Sequence, residues 1–382
     1  MTASWNETTL PTLLLNYKLE NIFNADEFGL FYQCLPNKTY HLSREKCFGG
    51  KNTKVRLTGI AAGSATGEKL PMFVIGKSKN PRCFKHIKQL PCTYKNQLKS
   101  WMTGDLFTEW VMKLDSFFRA QDRKVALLVD NCSAHPHIEG LSNINLIFFP
   151  PKSTSVLQPM DQGVIRSLKA HYRHKIVRLC IKAVDNNEPM PKISILQAMK
   201  DLVSSWNAVS KETVINCINF INCINFKKAG ISKTNKSIEE ADDDHSFKFL
   251  TEELNRLREL DPRAVQEDLS AESYIGLYCD VVTTGSLATD AEIIAQILDP
   301  NFENDDNEVE DSVDEAIDVE APPRPSDIQL KIAFETIQNA SLYSSKYGNE
   351  IQSLALKLED LMKMEKMDNL KQYQITDFFQ KL

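Results

Sequence analysis

Hydrophobic and polar positions follow two rhythms along this chain, and the changes of rhythm mark its elements. From Asn21 the pattern is strand-like: Ile22-Phe23-Asn24-Ala25 leads to Asp26, and Leu30-Phe31-Tyr32 follows. Val55–Ala62 and Leu70–Ile75 are further strand-like runs around the turn chemistry of Gly63-Ser64-Ala65-Thr66-Gly67, so residues 54–76 predict a hairpin. Asp105–Gln121 switches to helical spacing through Leu106, Trp110, Leu114, Phe117 and Phe118, with Thr103 or Asp105 placed to cap it. Val125–Val129 and Ile144–Phe149 are near-continuous apolar runs, the pattern of strands covered on both faces. A long helix is predicted after Asp161. Val164, Ile165, Leu168, Tyr172, Ile176, Leu179 and Cys180 lie on one side, and Arg166, Lys169, Arg173, Lys175, Arg178 and Lys182 on the other. Shorter helices follow around Ile195, Met199, Leu202, Val203 and Trp206, and Ser326–Met367 resumes helical periodicity. The order β-β-β-α-β-β-α reads as an α/β fold followed by helical and acidic C-terminal segments.

Composition changes this picture in one respect. The net charge of −6 over 382 residues hides an asymmetry: residues 1–235 carry 32 Lys+Arg against 17 Asp+Glu, and residues 236–382 carry 13 against 34. A basic front half suits a polyanion such as nucleic acid, and an acidic back half suits a solvated or regulatory segment. Asn301–Pro325, acidic and ending in Pro322-Pro323-Arg324-Pro325, reads as a disordered linker. No apolar run approaches the roughly 18 residues of a membrane span, and the N-terminus lacks the basic start and apolar stretch of a secretory signal. Nine cysteines without a C-x-x-C pair argue against a disulfide framework or zinc ribbon and point to a reducing compartment. Ile215–Phe220 is repeated as Ile221–Phe226. An inserted six-residue copy would rotate a helix downstream by about 240°.

Candidate chemistry gathers on aspartates. Asp26 ends one apolar approach, Asp130 ends another, and Asp161 starts the long helix. Singly, each serves as a turn former or cap. Brought to one sheet edge, three carboxylates need a cation and make a site for hard, oxygen-seeking ions such as magnesium. His135 and His137 follow Asp130 and fit a loop role or substrate positioning. Gly76-Lys77-Ser78 is not a phosphate loop, because Pro71 stands where its first glycine belongs and Asn80-Pro81 breaks the chain. The basic helix face, with Arg166, Lys169, Arg173 and Lys175, reads as solvated or as a contact to a phosphate backbone. Near the C-terminus, Gln372, Ile375, Phe378 and Phe379 form a short-helix anchor for an apolar pocket. That box resembles the sliding-clamp motif by which nuclear proteins bind proliferating cell nuclear antigen.

Asn24-Ala25-Asp26-Glu27-Phe28-Gly29-Leu30-Phe31, Val74–Phe84, Asp130-Asn131-Cys132-Ser133-Ala134-His135-Pro136 and Val156–Ile165 resemble the pogo/Tigger/jerky group of DDE-superfamily transposases. The likeness runs from about residue 10 to 235. It implies a ribonuclease H-like mixed sheet flanked by helices, with Asp26, Asp130 and Asp161 as catalytic triad and as ligands of two magnesium or manganese ions. It also implies hydrolysis of a DNA phosphodiester, then attack of the freed 3′-hydroxyl on target DNA. The organisation that follows is a residual linker or helix over 1–20, the catalytic domain over 21–185 and its helical extension over 186–235. An acidic, partly disordered region over 236–325 comes next, then a helical segment over 326–371 and the clamp-like box over 372–379. Relatives carry a centromere-protein-B-like helix-turn-helix pair before the first aspartate. This chain starts just short of Asp26, so it is expected to lack that DNA-reading part. Ser133 also stands where the group has proline. The expectation is a nuclear, magnesium-dependent endonuclease or transposase domain. Its partners would be DNA, the sliding clamp and a second copy of itself, with no membrane. The alternative is a domesticated, non-catalytic nuclear protein that binds nucleic acid or protein through the same fold.

Overall fold

The structure is a computed structural model and describes residues 12, 15–36, 55–150, 158–218, 245–277, 325–343 and 347–368. The clamp-like box, the second copy of the hexapeptide and all of the acidic linker but Pro325 lie outside the described residues.

Six strands form one sheet: β1 (Ile22–Leu30), β2 (Leu57–Ser64), β3 (Phe73–Gly76), β4 (Thr93–Asn96), β5 (Val125–Val129) and β6 (Ile144–Phe148), in the order β4-β3-β2-β1-β5-β6. β1, β2 and β3 are an antiparallel meander, and β5 and β6 run parallel to β1. This is the ribonuclease H-like arrangement the resemblance implied, with β4 added parallel to β3 at one edge. The predicted hairpin is present. Its close packing rests partly on Gly59, opposite Phe28, where a Cβ would come within 2.5 Å of the Phe28 ring.

Strand alternation sends successive side chains to opposite faces, and both faces are covered. Ile22, Phe28, Leu30, Leu57, Ala61, Val74, Ala126 and Leu128 belong to a core shared with α2 (Ile165–Asp185), α3 (Ile195–Ala208) and α4 (His245–Leu260). Phe23, Ala25, Ile60, Ala62, Phe73, Ile75, Leu127 and Val129 pack on the other face against α1 (Gly104–Ala120). Thr103 caps α1 by accepting from Leu106 N at 3.4 Å. β5 is buried throughout, as its apolar run predicts, whereas β6 has only Ile144 fully buried because it is the sheet edge.

Residues 245–277 fall in the acidic stretch yet fold onto the sheet domain. Leu250, Leu254 and Leu257 of α4 join the first core, and so do Tyr274 and Ile275 of α5 (Ala271–Gly276). The charged residues of α4 occupy its outward positions, so acidity and packing coexist in one amphipathic helix. A separate compact unit, Pro322–Leu382, contains α6 (Asp327–Ser341) paired with α7 (Gly348–Asp368). A Ser326–Gln329 capping box starts α6.

Candidate active site

Asp26 does not end a strand. It sits mid-way along β1, opposite Ala61 of β2. What ends nearby is the partnership with β5, whose pairing with β1 stops at Asn24↔Leu128. Beyond that point β1 continues against β2 alone. By strand alternation Asp26 lies on the α2 face of the sheet, the side taken by Ile22 and Phe28, and it is buried there.

Asn24, one residue pair earlier on the same face, pins the third acid. Its Nδ2 donates to Leu128 O at 3.0 Å and to Gln158 Oε1 at 2.6 Å, while its Oδ1 accepts from Met160 N at 3.1 Å. Gln158 Nε2 returns a bond to Ala25 O at 3.1 Å. These buried bonds lock Gln158–Met160 onto β1 beside the end of β5, and Asp161 follows directly. Asp161 does not cap the helix. Met160–Val164 is a wide π-type turn leading into α2, with no side-chain cap at its start.

The three carboxyls are near enough to act on one another's charge, although Asp26, Asp130 and Asp161 do not form a group with oxygens all within 4.8 Å of one another. Burial raises the Asp26 carboxyl well above the ordinary aspartate range, and the charges of Asp161, Glu27 and Asp130 push it further. Partial burial also raises Asp161, offset by contact with Asp26 and by the Lys169 charge and reinforced by Asp130. Asp26 Oδ1 accepts from Glu27 N at 2.9 Å, but its buried Oδ2 meets no donor. A proton shared with Asp161, or a cation, would satisfy it. An orphaned buried carboxylate oxygen within a group of acids is the donor set of a hard divalent ion, so these residues fit magnesium or manganese.

Asp130 follows β5 directly and is held by a buried histidine. His135 Nδ1 lies 3.1 Å from Asp130 O and 2.7 Å from Asp130 Oδ1, the latter out of line for a hydrogen bond. His135 Nε2 lies 3.0 Å from Glu27 Oε1. Glu27 is on the α1 face of β1, and His135 joins it to Asp130 just past the C-terminal end of β5. Phe107 of α1 stacks on its ring at 4.1 Å between centroids. Burial opposes the charged imidazole, but the Glu27 charge and the bonds to Asp130, Cys132 and Glu27 outweigh it and raise His135 far above its usual value. Glu27 was missed in the sequence because its partner is 108 residues away. An acid in a buried strand next to Asp26 was the signal available. His137 is exposed and packs edge-on against Phe148 at 4.6 Å, away from this cluster.

The expected basic face of α2 divides. Arg173 is 3% exposed, donates to Phe31 O and Cys34 O at 3.0 and 3.1 Å, and lies over Tyr274. It is a core cation committed to backbone carbonyls and not a phosphate contact, because α4 and α5 cover the side expected to face water. Lys169 is also buried, with its charge directed at Asp161. Arg166 is exposed and pairs with Glu272 at 3.2 Å. Lys175 lines a cleft of about 510 Å³ with Arg178, Lys182, Arg256 and the acids Asp185, Asp201 and Glu253.

Residues 54–218 match the family described as DDE superfamily endonuclease. The chain is 41% identical over 212 residues to Tigger transposable element-derived protein 4 of Mus musculus, covering 55% of this chain and 41% of that protein. It is 35% identical over 202 residues to Jerky protein homolog of Homo sapiens, covering 50% and 35%. It is 28% identical over 244 residues to Major centromere autoantigen B of Homo sapiens, covering 62% and 39%. Less than half the length of each of these relatives is therefore spanned. Among solved structures, the Mos1 Strand Transfer Complex aligns at a TM-score of 0.37 with 12% identity, covering 62% of each chain.

Proposed function

We infer that this chain, which belongs to the pogo/Tigger-type DDE transposase-derived proteins, is a metal-dependent nuclease acting on DNA phosphodiesters through Asp26, Asp130 and Asp161. One observation carries the inference. A buried carboxylate, Asp26, keeps an unpartnered oxygen while Asp161 and Asp130 press their charges on it. Folding energy is given up at this point, and a bound divalent cation would recover it. Magnesium or manganese would supply an activated water and neutralise the leaving oxygen.

The chain's own residues provide the placement. Glu27 N fixes one Asp26 oxygen, so the other is left for a cation. The Asn24–Gln158 clamp sets the distance from Asp161 to Asp26. His135 restrains Asp130 from behind, with Glu27 restraining His135 in turn. Lys169 offsets part of the local negative charge, and the excess of Lys and Arg before residue 236 favours approach of a polyanion. With DNA as substrate, the site of action is the nucleus, in keeping with a relative named for the centromere.

The test is nicking of supercoiled plasmid with magnesium or manganese. Metal-dependent nicking that disappears in Asp130→Ala is the expected result. A chain that binds DNA but neither takes up magnesium or manganese nor nicks would instead be the domesticated, non-catalytic relative.

A further inference from the structure

Asp130, Cys132 and His135 carry a second kind of donor set. One carboxylate oxygen, the Cys132 sulfur and one His135 nitrogen all lie within 4.8 Å of one another. A magnesium centre has no use for a thiol, since hard ions select oxygen, whereas thiolate and imidazole together select zinc-class metals. We propose that the Asp130–His135 loop is a binding site for a soft divalent transition metal of the zinc class, distinct in chemistry from the three-aspartate centre that shares Asp130 with it.

Three features of the loop support the site. His135 is held in place on both sides: Nε2 is engaged by Glu27 Oε1 at 3.0 Å and Nδ1 by Asp130, at 3.1 Å from its backbone oxygen and 2.7 Å from Oδ1, so a metal would take the place of the Nδ1 proton. A carboxylate behind a histidine is the usual outer partner of a metal-bound imidazole, fixing its tautomer and ring plane. Phe107, stacked on the ring, fixes that plane a second time. Asp130 Oδ1 is buried and lacks a hydrogen bond despite lying 2.7 Å from Nδ1, so a ligand oxygen and a ligand nitrogen face one another without an aligned proton between them. Finally, Cys132 is a free, half-buried thiol between exposed Asn131 and Ser133, which provides an entry path from solvent. Zinc bonds of about 2.0–2.3 Å put ligand atoms roughly 3.3–3.8 Å apart. The three ligand atoms lie within 4.8 Å of one another, and His135 Nδ1 and Asp130 Oδ1, now 2.7 Å apart, would part by about 0.6 Å to take an ion between them, leaving the fourth position to water or a substrate oxygen.

Asp130 cannot serve both centres independently. A zinc-class ion on this loop would withdraw Asp130 from the hard-cation site, so this consequence rests on the nuclease inference while the metal site itself does not.

The site is read out with cobalt(II), which reports thiolate ligation by a charge-transfer absorption, added alone to the full chain without DNA. One equivalent should produce the band, and zinc should bleach it. Cys132→Ser should abolish it, and Cys217→Ser, at another half-buried thiol, should keep it. Glu27→Gln should keep the band with affinity lowered ten- to hundredfold. No band, a band that survives Cys132→Ser, or a band lost with Cys217→Ser would each overturn the site. Unchanged affinity in Glu27→Gln would overturn the orienting role of that residue. If Cys132→Ser fails to fold by circular dichroism, alkylation of the native protein decides instead. Zinc should protect Cys132 from iodoacetamide, and an equal rate with and without zinc refutes the proposal. None of these readouts depends on nicking.

Discussion

Replacing Asn24 by alanine should loosen the candidate site and the sheet together. Asn24 is 1% exposed, and its amide makes three bonds: to Leu128 O, Gln158 Oε1 and Met160 N. Each is worth about 0.5–1.5 kcal/mol net, and the three partners would be left in a dry interior, so the loss is about 3 kcal/mol. That is a large part of the roughly 5–15 kcal/mol that stabilises a domain. At about 2–4 °C per kcal/mol for a domain of this size, Tm should fall by roughly 6–12 °C. Differential scanning calorimetry of the metal-free chain measures this. Because the bonds form one clamp, Gln158→Ala should also destabilise, and the double variant should lose less than the sum of the singles. A second readout is specific to the site: added magnesium should raise Tm less in Asn24→Ala than in the native chain, since Asp161 is no longer held beside Asp26. A Tm drop below about 2 °C, with strict additivity, would show that the clamp does not hold the Asp161 turn.

Other expectations follow from the charges. Asp26 has a raised carboxyl pKa in the folded state, so its stability contribution is present below the unfolded value near 4 and is lost as pH rises through the folded one. Asp26→Asn should therefore stabilise the metal-free chain at neutral pH and flatten its loss of stability above pH 5, as thermal melts in a chelator would show. Magnesium should no longer stabilise that variant, and a neutral-pH Tm at or below the native value would contradict the charge repulsion. Asp115 behaves oppositely. Burial would raise it, but bonds from the N–H groups of Asn143 and Ile144 and from Arg119 and Ser142 outweigh burial and lower it. Its contribution is present above the unfolded pKa and is lost as pH falls through the folded one. Asp115→Asn should cost about 2 kcal/mol at pH 7 and less at pH 3, measured by urea unfolding; an equal loss at both would argue against the ionised carboxylate. If the tail box anchors the chain to the sliding clamp, Phe378→Ala/Phe379→Ala should abolish that binding in surface plasmon resonance, and unchanged affinity would refute the tail assignment.

Much of the fold was legible because it rests on local rhythm. The hairpin, the helix after Thr103 and the two parallel strands came from apolar spacing, which burial of alternate or every-third-or-fourth side chains imposes directly. Motif resemblance marked all three aspartates, but their positions were read differently from how they lie. Asp26 ends the run Ile22–Ala25 in sequence, yet its strand continues because Glu27 and Phe28 are buried against later elements. Arg173 reads as part of a polar stripe, and only the arrival of Tyr274 about a hundred positions later makes that stripe an interior surface.

By itself, the sequence determined which segments alternate, where acids and bases concentrate and which residue types can bind a cation, because these depend on neighbours a few positions apart. Tertiary structure alone decided that Asn24 would tie the Asp161 turn to β1, that Glu27 would meet His135 beyond the end of β5, and that Asp26 would keep a bare oxygen. Each of these joins segments more than a hundred residues apart. Such pairings follow from strand order and register, which bring whole elements together through the burial of both sheet faces and leave no local trace in the residues they unite.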